Sequence, residues 1–334
     1  MISVRILLDS INAMKGRLTT FLLTFPRSIL SEHNTHRVTS KNFSSSRALS
    51  IATLLQQCID NPYMPVLRAN KKGMQAGELL SLEDSKLAEE VILSLRDASC
   101  DAVKRLAELN VHKQYANRYL EPWQWCTGIV SSTDWANLIH LRNEKSAEPN
   151  FDILASMIKS ALETSVPKEL DDNDWAFPLV DGEYATEEIR LETYDKIFKL
   201  SQNVDEVFEF LGHYDAKYQA STTDIFKFVL EEVFESNAER AITALTAAGR
   251  CARVSYLNHE SQKIDILDTI RLGCFLAEQG HFSPLEHIAR PAIATEVTWK
   301  LNVDGTFERT GYVGNFYEWT QIRKLFPREN FPSR

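Results

Sequence analysis

The chain opens on two runs that read as strands, Ser3 to Leu8 and Leu18 to Phe25, joined around Lys15-Gly16, with Pro26 ending the second. From Ser31 to Ser50 the apolar content falls away. That stretch is rich in His and Ser and offers little to a core, so a site is expected there. A helical period then takes over. Ser81-Leu82-Glu83-Asp84 has the form of a capping box, and Leu87, Val91, Leu95, Ala98, Ala102, Leu106 and Leu109 follow at spacings of three and four. The spacing predicts a long amphipathic helix, with shorter helices over Trp135 to Leu141 and Ile153 to Leu162 before Pro167. From about Asn203 to Ala248 the pattern stays helical and becomes acidic. Asp205, Glu206, Glu209, Glu231, Glu232, Glu235 and Glu239 interleave with Phe208, Phe210, Phe226 and Phe228, which predicts an inserted helical subdomain with a solvated acidic face. Beyond it come a helix over Ile264 to Glu278 and two strands, Ile293 to Val303 and Thr306 to Tyr312, meeting at the hairpin signal Asp304-Gly305.

Composition narrows the class. With 334 residues and 44% hydrophobic content the chain can bury a substantial core. The net charge of −9 argues against a face that grips duplex nucleic acid and leaves room for a local cluster binding one small anion. Cys58, Cys100, Cys126, Cys251 and Cys274 are scattered without a CxxC pair, which reads as reduced thiols in a cytoplasmic compartment. No run reaches the roughly 18 apolar residues of a membrane span. Ile6-Leu7-Leu8 is soon broken by Asp9 and Ser10, unlike the apolar region of a signal peptide.

The candidate chemistry lies in Ser31 to Arg47, where Glu32, His36, Arg37, Ser40, Asn42, Ser45 and Arg47 crowd together. Guanidinium forks match phosphate and carboxylate bidentately, and serine hydroxyls with backbone N–H groups complete an anion cradle. Taken alone, the same composition is also that of a polar loop leading into a helix cap, the commoner case. His281 and His287, with Glu286 between them, are spaced by six rather than at the i, i+4 interval of the HExxH zinc pattern. Ser45 lacks a GxSxG elbow. Trp123, Trp125 and Trp135 read as core more readily than as a stacking platform, with one of them left open as a wall of a cofactor site.

His36-Arg37 followed by Ser40, Asn42, Ser45 and Arg47 resembles the signature of flavin-dependent thymidylate synthases, Arg-His-Arg followed by Ser, Asn-Glu, Ser and Arg. Further segments are similar to that family. Thr20 to Pro26 leads in as a strand and proline; Lys113-Gln114-Tyr115-Ala116-Asn117-Arg118 with Pro122 looks like the segment carrying a phosphate-binding arginine; Asn137 to Arg142 resembles an Asn…Leu-Arg helix. Ala252 to Tyr256 and His281 to His287 resemble two flavin-contacting segments. The last of these normally precedes the Arg-His-Arg motif, so the order here resembles a circular permutation, which compact domains with close termini tolerate. The long bacteriophage forms, with their Gly-Asn-Phe…Gln-x-Arg-Lys ending, look similar to Gly314 to Lys324.

The resemblance implies an α/β (α+β) fold, a twisted, mainly antiparallel sheet with packed helices. It covers about residues 1–165 and 249–330 as a catalytic domain and leaves the acidic helical insertion 203–248 unassigned. It implies a flavin-dependent thymidylate synthase, a methyltransferase carrying dUMP to dTMP with FAD, NADPH and 5,10-methylenetetrahydrofolate, in a homotetramer with shared sites in the cytoplasm, the host's if viral. Arg142 is then the catalytic residue at the pyrimidine. Glu32, Ser45, Ser46, Arg47 and Arg118 bind the nucleotide with it. Thr35, His36, Arg37, Asn137, Ser255, His281, Ser283, Glu286 and Arg323 meet the flavin. The chain departs from the signature twice. Thr35 replaces the first arginine, whose charge Arg323 is expected to restore, and Phe43 replaces the glutamate at the rim of the nucleotide pocket. These departures keep open a pyrimidine-nucleotide hydroxymethylase or dCMP methylase for modified viral DNA, and, from another class, a non-catalytic nucleotide-binding protein.

Overall fold

The computed structural model describes residues 1–73, 75–181, 187–256, 264–297, 299–309, 311–327 and 329. Strands β1 (Ser3–Asn12) and β2 (Arg17–Pro26) form an antiparallel hairpin that turns at Lys15, φ 67°. Both run past their apolar stretches. The polar ends are held by Asp9, which accepts from Arg17 at 2.8 and 2.7 Å and from Thr19 at 3.0 Å. β3 (Ser40–Phe43) and β4 (Trp125–Ser132) extend the sheet antiparallel on the β2 side, and β5 (Lys168–Leu170) joins β1 in parallel, giving the order β3-β4-β2-β1-β5. The fold is α/β with a mostly antiparallel sheet.

The sheet is covered on both faces, which explains why β2 is buried almost throughout rather than alternately. On one face Phe21, Leu23, Phe25 and Val130 meet Trp135, Leu138, Phe151, Leu154 and Ile158 of the segment that carries helices α5 (Ala136–Arg142) and α6 (Pro149–Thr164). On the other, Leu7 and Ile129 meet Leu179, Cys251 and Val254. Helix α1 (Leu30–His33) lies between β2 and β3. Helices α2 (Ile51–Asp60), α3 (Leu82–Glu108) and α4 (Lys113–Ala116) pack together through Leu54, Cys58, Cys100, Val103 and Ala116 with Leu120. The Ser81 hydroxyl caps α3 by accepting from Asp84 N–H at 3.0 Å. Only the last third of α3 is packed, through Cys100, Val103 and Leu106. Its first half presents Leu82, Leu87, Val91 and Leu95 to solvent, each more than half exposed at 85, 56, 60 and 57%.

The acidic region folds as part of a larger helical block. Helices α7 (Glu187–Gln202), α8 (Val204–Tyr218), α9 (Thr222–Phe228), α10 (Ala238–Arg253) and α11 (Ile266–Glu278) share one core, in which Val207, Leu211 and Phe226 are clustered with Ile270, Cys274, Leu285, Ile288 and Ile322. The position 248/249 falls inside α10. That helix is buried continuously from Ala241 to Gly249 because its small residues admit α11 closely. A Cβ on Gly249 would lie 2.1 Å from the Thr269 carbonyl oxygen, and one on Gly273 2.7 Å from that of Leu245. The carboxylates of Asp205, Glu206, Glu209, Glu231, Glu232, Glu235 and Glu239 are exposed.

The C-terminal part is built of short pairs. β6 (Ala289–Pro291) joins β11 (Trp319–Gln321), β7 (Trp299–Leu301) joins β8 (Phe307–Arg309), and β9 (Tyr312–Val313) joins β10 (Phe316–Tyr317). The β7–β8 hairpin turns at Asp304-Gly305, where Gly305 takes φ +82°. The strand expected from Ile293 begins only at Trp299. Glu296 draws the preceding residues into a turn, accepting from Ile293 N–H at 3.1 Å, Arg290 at 2.9 and 2.6 Å and Thr320 at 2.8 Å. All five cysteines are free and buried. Among the described residues no helix is long and apolar enough to cross a membrane.

Candidate functional site

The polar stretch after β2 occupies α1, a turn, β3 and the loop before α2. Strand alternation sends neighbouring side chains of β3 to opposite sides. Asn42 turns toward the end of α10, donating to the Cys251 carbonyl at 2.6 Å and accepting from the Ser255 hydroxyl at 3.1 Å. The Ser45 N–H donates to the Ser255 carbonyl at 3.2 Å. At the start of β3 the Ser40 hydroxyl accepts from Gln321, which also donates to the Glu286 carbonyl, at 2.8 and 2.7 Å. His287 sits beneath, wholly buried, with Nδ1 2.9 Å from the Ser131 hydroxyl. Thus β3 is hydrogen-bonded to the Ser255 segment and to the Gln321 residue that also holds the Ser283–His287 turn, although Asn42 and Ser255 are 213 residues apart.

On the opposite side α5 brings Arg142 across. Its Nε donates to His36 Nε2 at 3.1 Å, Nη1 pairs with Glu32 at 3.0 Å and Nη2 reaches the Thr35 hydroxyl at 3.4 Å. The guanidinium also lies over the Phe151 ring, 4.9 Å from its centroid. Accepting from Arg142 requires an unprotonated Nε2, and the surroundings favour that. Burial lowers the His36 pKa, the charges of Arg142 and Lys41 lower it further, and a hydrogen bond with Asn137 opposes them. Lys41 is itself pushed down to about 8 by burial; its amine donates to the His36 carbonyl at 2.7 Å and that of His33 at 3.3 Å. Beside Arg142 and Glu32 opens a cavity of about 840 Å³, into which Arg68 and Lys145 also face.

Phe43 is not at the rim expected of it. Its ring packs against Phe25 and His33, with centroids 5.4 and 5.2 Å away, over a Gly128 whose hydrogen leaves room for it. A Cβ at Gly128 would lie 1.8 Å from Phe43 Cδ1.

The loop Ser44 to Leu49 is stitched to the segment Lys113 to Trp123. Lys113 donates to the Ala48 carbonyl at 2.9 Å, and Asn117 to those of Ser46 and Leu49 at 2.7 and 3.1 Å. Ser46 and Arg118 both donate to Glu121 Oε1, at 2.8 and 3.1 Å, while Ser45 and Arg47 stay nearer the surface. Of the residues assigned to flavin, Arg37, Asn137, His281 and Ser283 are exposed, and Thr35 donates to the Glu32 carbonyl at 2.7 Å. Arg323 is already paired with Glu286 and, at 3.2 Å, with Glu329. Its charge is balanced, so it does not replace the missing arginine as a free cation. His281 and His287 are not brought together with a third ligand, and no group that could hold a metal occurs among the described residues.

The sequence assigns no role to Glu121, Arg27 or Lys41, and Gln321 enters it only as part of the ending that resembles the bacteriophage forms. Each acts on a partner remote in the chain or through a backbone carbonyl, so no local pattern gives it a role, although Lys41 and Gln321 lie inside the motifs that carry the resemblance.

No protein-family profile matches the chain, and no curated protein matches it. Among solved structures the chain is similar to a UMP/dUMP methylase from Streptomyces cacaoi bound with 5-Br UMP. That likeness has 14% identity and a TM-score of 0.40, over 48% of this chain and 88% of the other. The structural neighbours also include a flavin-dependent thymidylate synthase from Helicobacter pylori complexed with FAD and dUMP, at 16% identity and a TM-score of 0.31, over 43% of this chain and 67% of that one.

Proposed function

We propose that the chain is a flavin-dependent thymidylate synthase, methylating dUMP to dTMP with methylenetetrahydrofolate as carbon source and NADPH as reductant of the flavin. One observation carries the reading. The segments that resemble the family's motifs are scattered and permuted along the sequence, yet Glu32, Thr35, His36, Asn137 and Arg142 meet on one side of β3, and Ser40, Asn42, Ser255, Glu286 and Gln321 on the other.

The residues present fit a flavin. Its diphosphate calls for cations and its ring for hydrogen-bonding groups with capacity to spare. Arg37 is exposed with no partner among the described residues, and His287 Nε2, Gln321 Oε1 and Arg323 Nε are buried without one. His36, Arg37, Asn137, Ser255, His281, Ser283 and Glu286 would hold it, with Thr35 offering a hydroxyl in place of a charge. Bound and reduced, flavin supplies the hydride that completes the methyl group.

The chain's own work is electrostatic. C5 of a pyrimidine attacks a methylene donor only when negative charge is drawn onto the ring, and a preorganised guanidinium stabilises that charge. Arg142 has this role, fixed at Nε by the neutral His36. Nη1 is shared with Glu32, and both residues line the cavity. Ser45, Arg47 and Arg118 hold the 5′-phosphate through charge-assisted hydrogen bonds. No cysteine nucleophile is required, and burial raises the thiols of Cys126, Cys251 and Cys274, with Cys58 pushed up to about 12. The working unit, by the resemblance, is a homotetramer with shared sites, and the uncovered apolar stripe of α3 offers a face for a subunit contact.

Purified protein tests this directly. It should be yellow or take up FAD, and with methylenetetrahydrofolate and NADPH it should convert dUMP to dTMP by mass spectrometry. Arg142→Ala should bind flavin and lose turnover. A colourless protein that takes up no flavin refutes the enzyme reading; product from dCMP alone, or a hydroxymethyl product, moves it to the modified-base reading.

A further inference from the structure

We propose that Glu121 is a positioning residue for nucleotide phosphate, aiming Arg118 and fixing the serine loop through a single carboxylate oxygen. The proposal rests on the nucleotide reading above. Oε1 of Glu121 accepts from the Ser46 hydroxyl at 2.8 Å and from Arg118 Nη1 at 3.1 Å, and it pairs with Arg27 Nη2 at 3.3 Å. These groups come from separate parts of the chain, the loop after β3, the turn after α4 and the end of β2.

The differences in exposure assign the roles. The Arg27 side chain is 14% exposed and Arg118 54%. Arg27 is closed in, its other terminal nitrogen donating to the Ser44 carbonyl at 3.2 Å, so both ends of its fork are occupied. Glu121 compensates that enclosed charge, which would otherwise be left without a counter-ion. Arg118 commits one of its five N–H donors to Glu121 and is otherwise more than half exposed, and the carboxylate oxygen it shares with Ser46 holds it next to the loop that carries Ser45 and Arg47. A free arginine loses rotamer entropy when it grips an anion. One already tethered loses less. Ser46 differs from its place in the sequence reading. Its hydroxyl hydrogen is spent on Glu121, so it shapes the loop and leaves Ser45, Arg47 and Arg118 as the donors to phosphate.

A carboxylate near a phosphate also repels it, so the sign of a substitution decides between positioning and competition. The experiment compares calorimetric binding of dUMP and deoxyuridine to flavin-loaded, full-length wild type, Glu121→Ala and Glu121→Gln. Glu121→Ala is expected to weaken dUMP about tenfold, the factor for losing roughly one charge-assisted hydrogen bond, and to leave deoxyuridine unchanged. Glu121→Gln, which keeps an acceptor oxygen, should lose less. Equal losses for both ligands would reduce Glu121 to a structural part, and tighter dUMP binding would make it a competitor; either overturns the proposal. If Glu121→Ala does not fold, Glu121→Gln decides alone: an unchanged ratio of the two affinities overturns it. Failure of wild type to bind dUMP at all is a different result, which removes the nucleotide reading and this role with it.

Discussion

Between neutral pH and about pH 4.5, stability should depend on two imidazoles that cannot take up a proton inside the core. His33 and His287 are both 0% exposed, and burial lowers each from 6.5 to about 3; for His33 the charges of Lys41, His36 and Arg142 add to it. In the unfolded chain both titrate near pH 6.5. The unfolded state therefore binds more protons below that point, so this stability is complete above pH 6.5 and is lost as pH falls toward 3. The slope is about 1.4 kcal/mol per pH unit for each histidine once titrated. Lowering the pH from about 6.5 to 4.5 thus costs on the order of 2–3 kcal/mol per residue, a large part of the usual 5–15 kcal/mol total. His33→Phe separates one of the two. His33 lies between Phe25 and Phe151, nearly parallel at 16 and 17°, and neither ring nitrogen has a partner, so phenylalanine forfeits no hydrogen bond. Urea unfolding at about pH 7.5, 6 and 5 should show the variant as stable as wild type or about 1 kcal/mol more so at the highest pH, and losing less on acidification by one buried histidine's share, since His287 and the lowered His36 still contribute. Carboxylates contribute equally to both proteins and cancel in the difference. An identical acid slope for wild type and His33→Phe would refute the reasoning.

Other outcomes follow from the packing. Gly249→Ala places a methyl 2.1 Å from the rigid backbone carbonyl of Thr269, so it should cost about 3 kcal/mol or more and lower the melting temperature by several degrees; a change below about 1 kcal/mol would mean that α10 and α11 are less tightly apposed. Replacing Leu87 and Leu95 together with lysine adds charge to an exposed face that the protomer does not use, so light scattering should show a smaller species with the monomer's thermal stability little changed. Unaltered assembly would place the subunit contacts elsewhere.

Much of the fold was legible because it is written locally. The two N-terminal strands, the capping box at Ser81 and the Asp304-Gly305 hairpin each state their own geometry within a few residues. What local pattern missed was set by remote partners. Glu296 abolished the first part of a strand by gathering Arg290 and Thr320 around itself. The acidic stretch reads as a separate insertion, since its carboxylates do face solvent, yet its phenylalanines and α10 share a core with α11 and with turns from the end of the chain. The apolar stripe on α3 follows from its spacing, but periodicity carries no information about what covers it.

The site divides in the same way. The sequence by itself determined which side chains were available, from Glu32 to Arg47 and at Asn137, Arg142, Ser255 and Glu286, because donors of that density have no use in a core. Only the tertiary structure decided their employment. It set Arg142 against a neutral His36, turned Phe43 inward over Gly128, balanced Arg323 with two carboxylates and gave Ser46 to Glu121. The physical reason is that charge and hydrogen bonding are settled by distance in space. The residues that settle them here lie up to 281 positions apart in the chain.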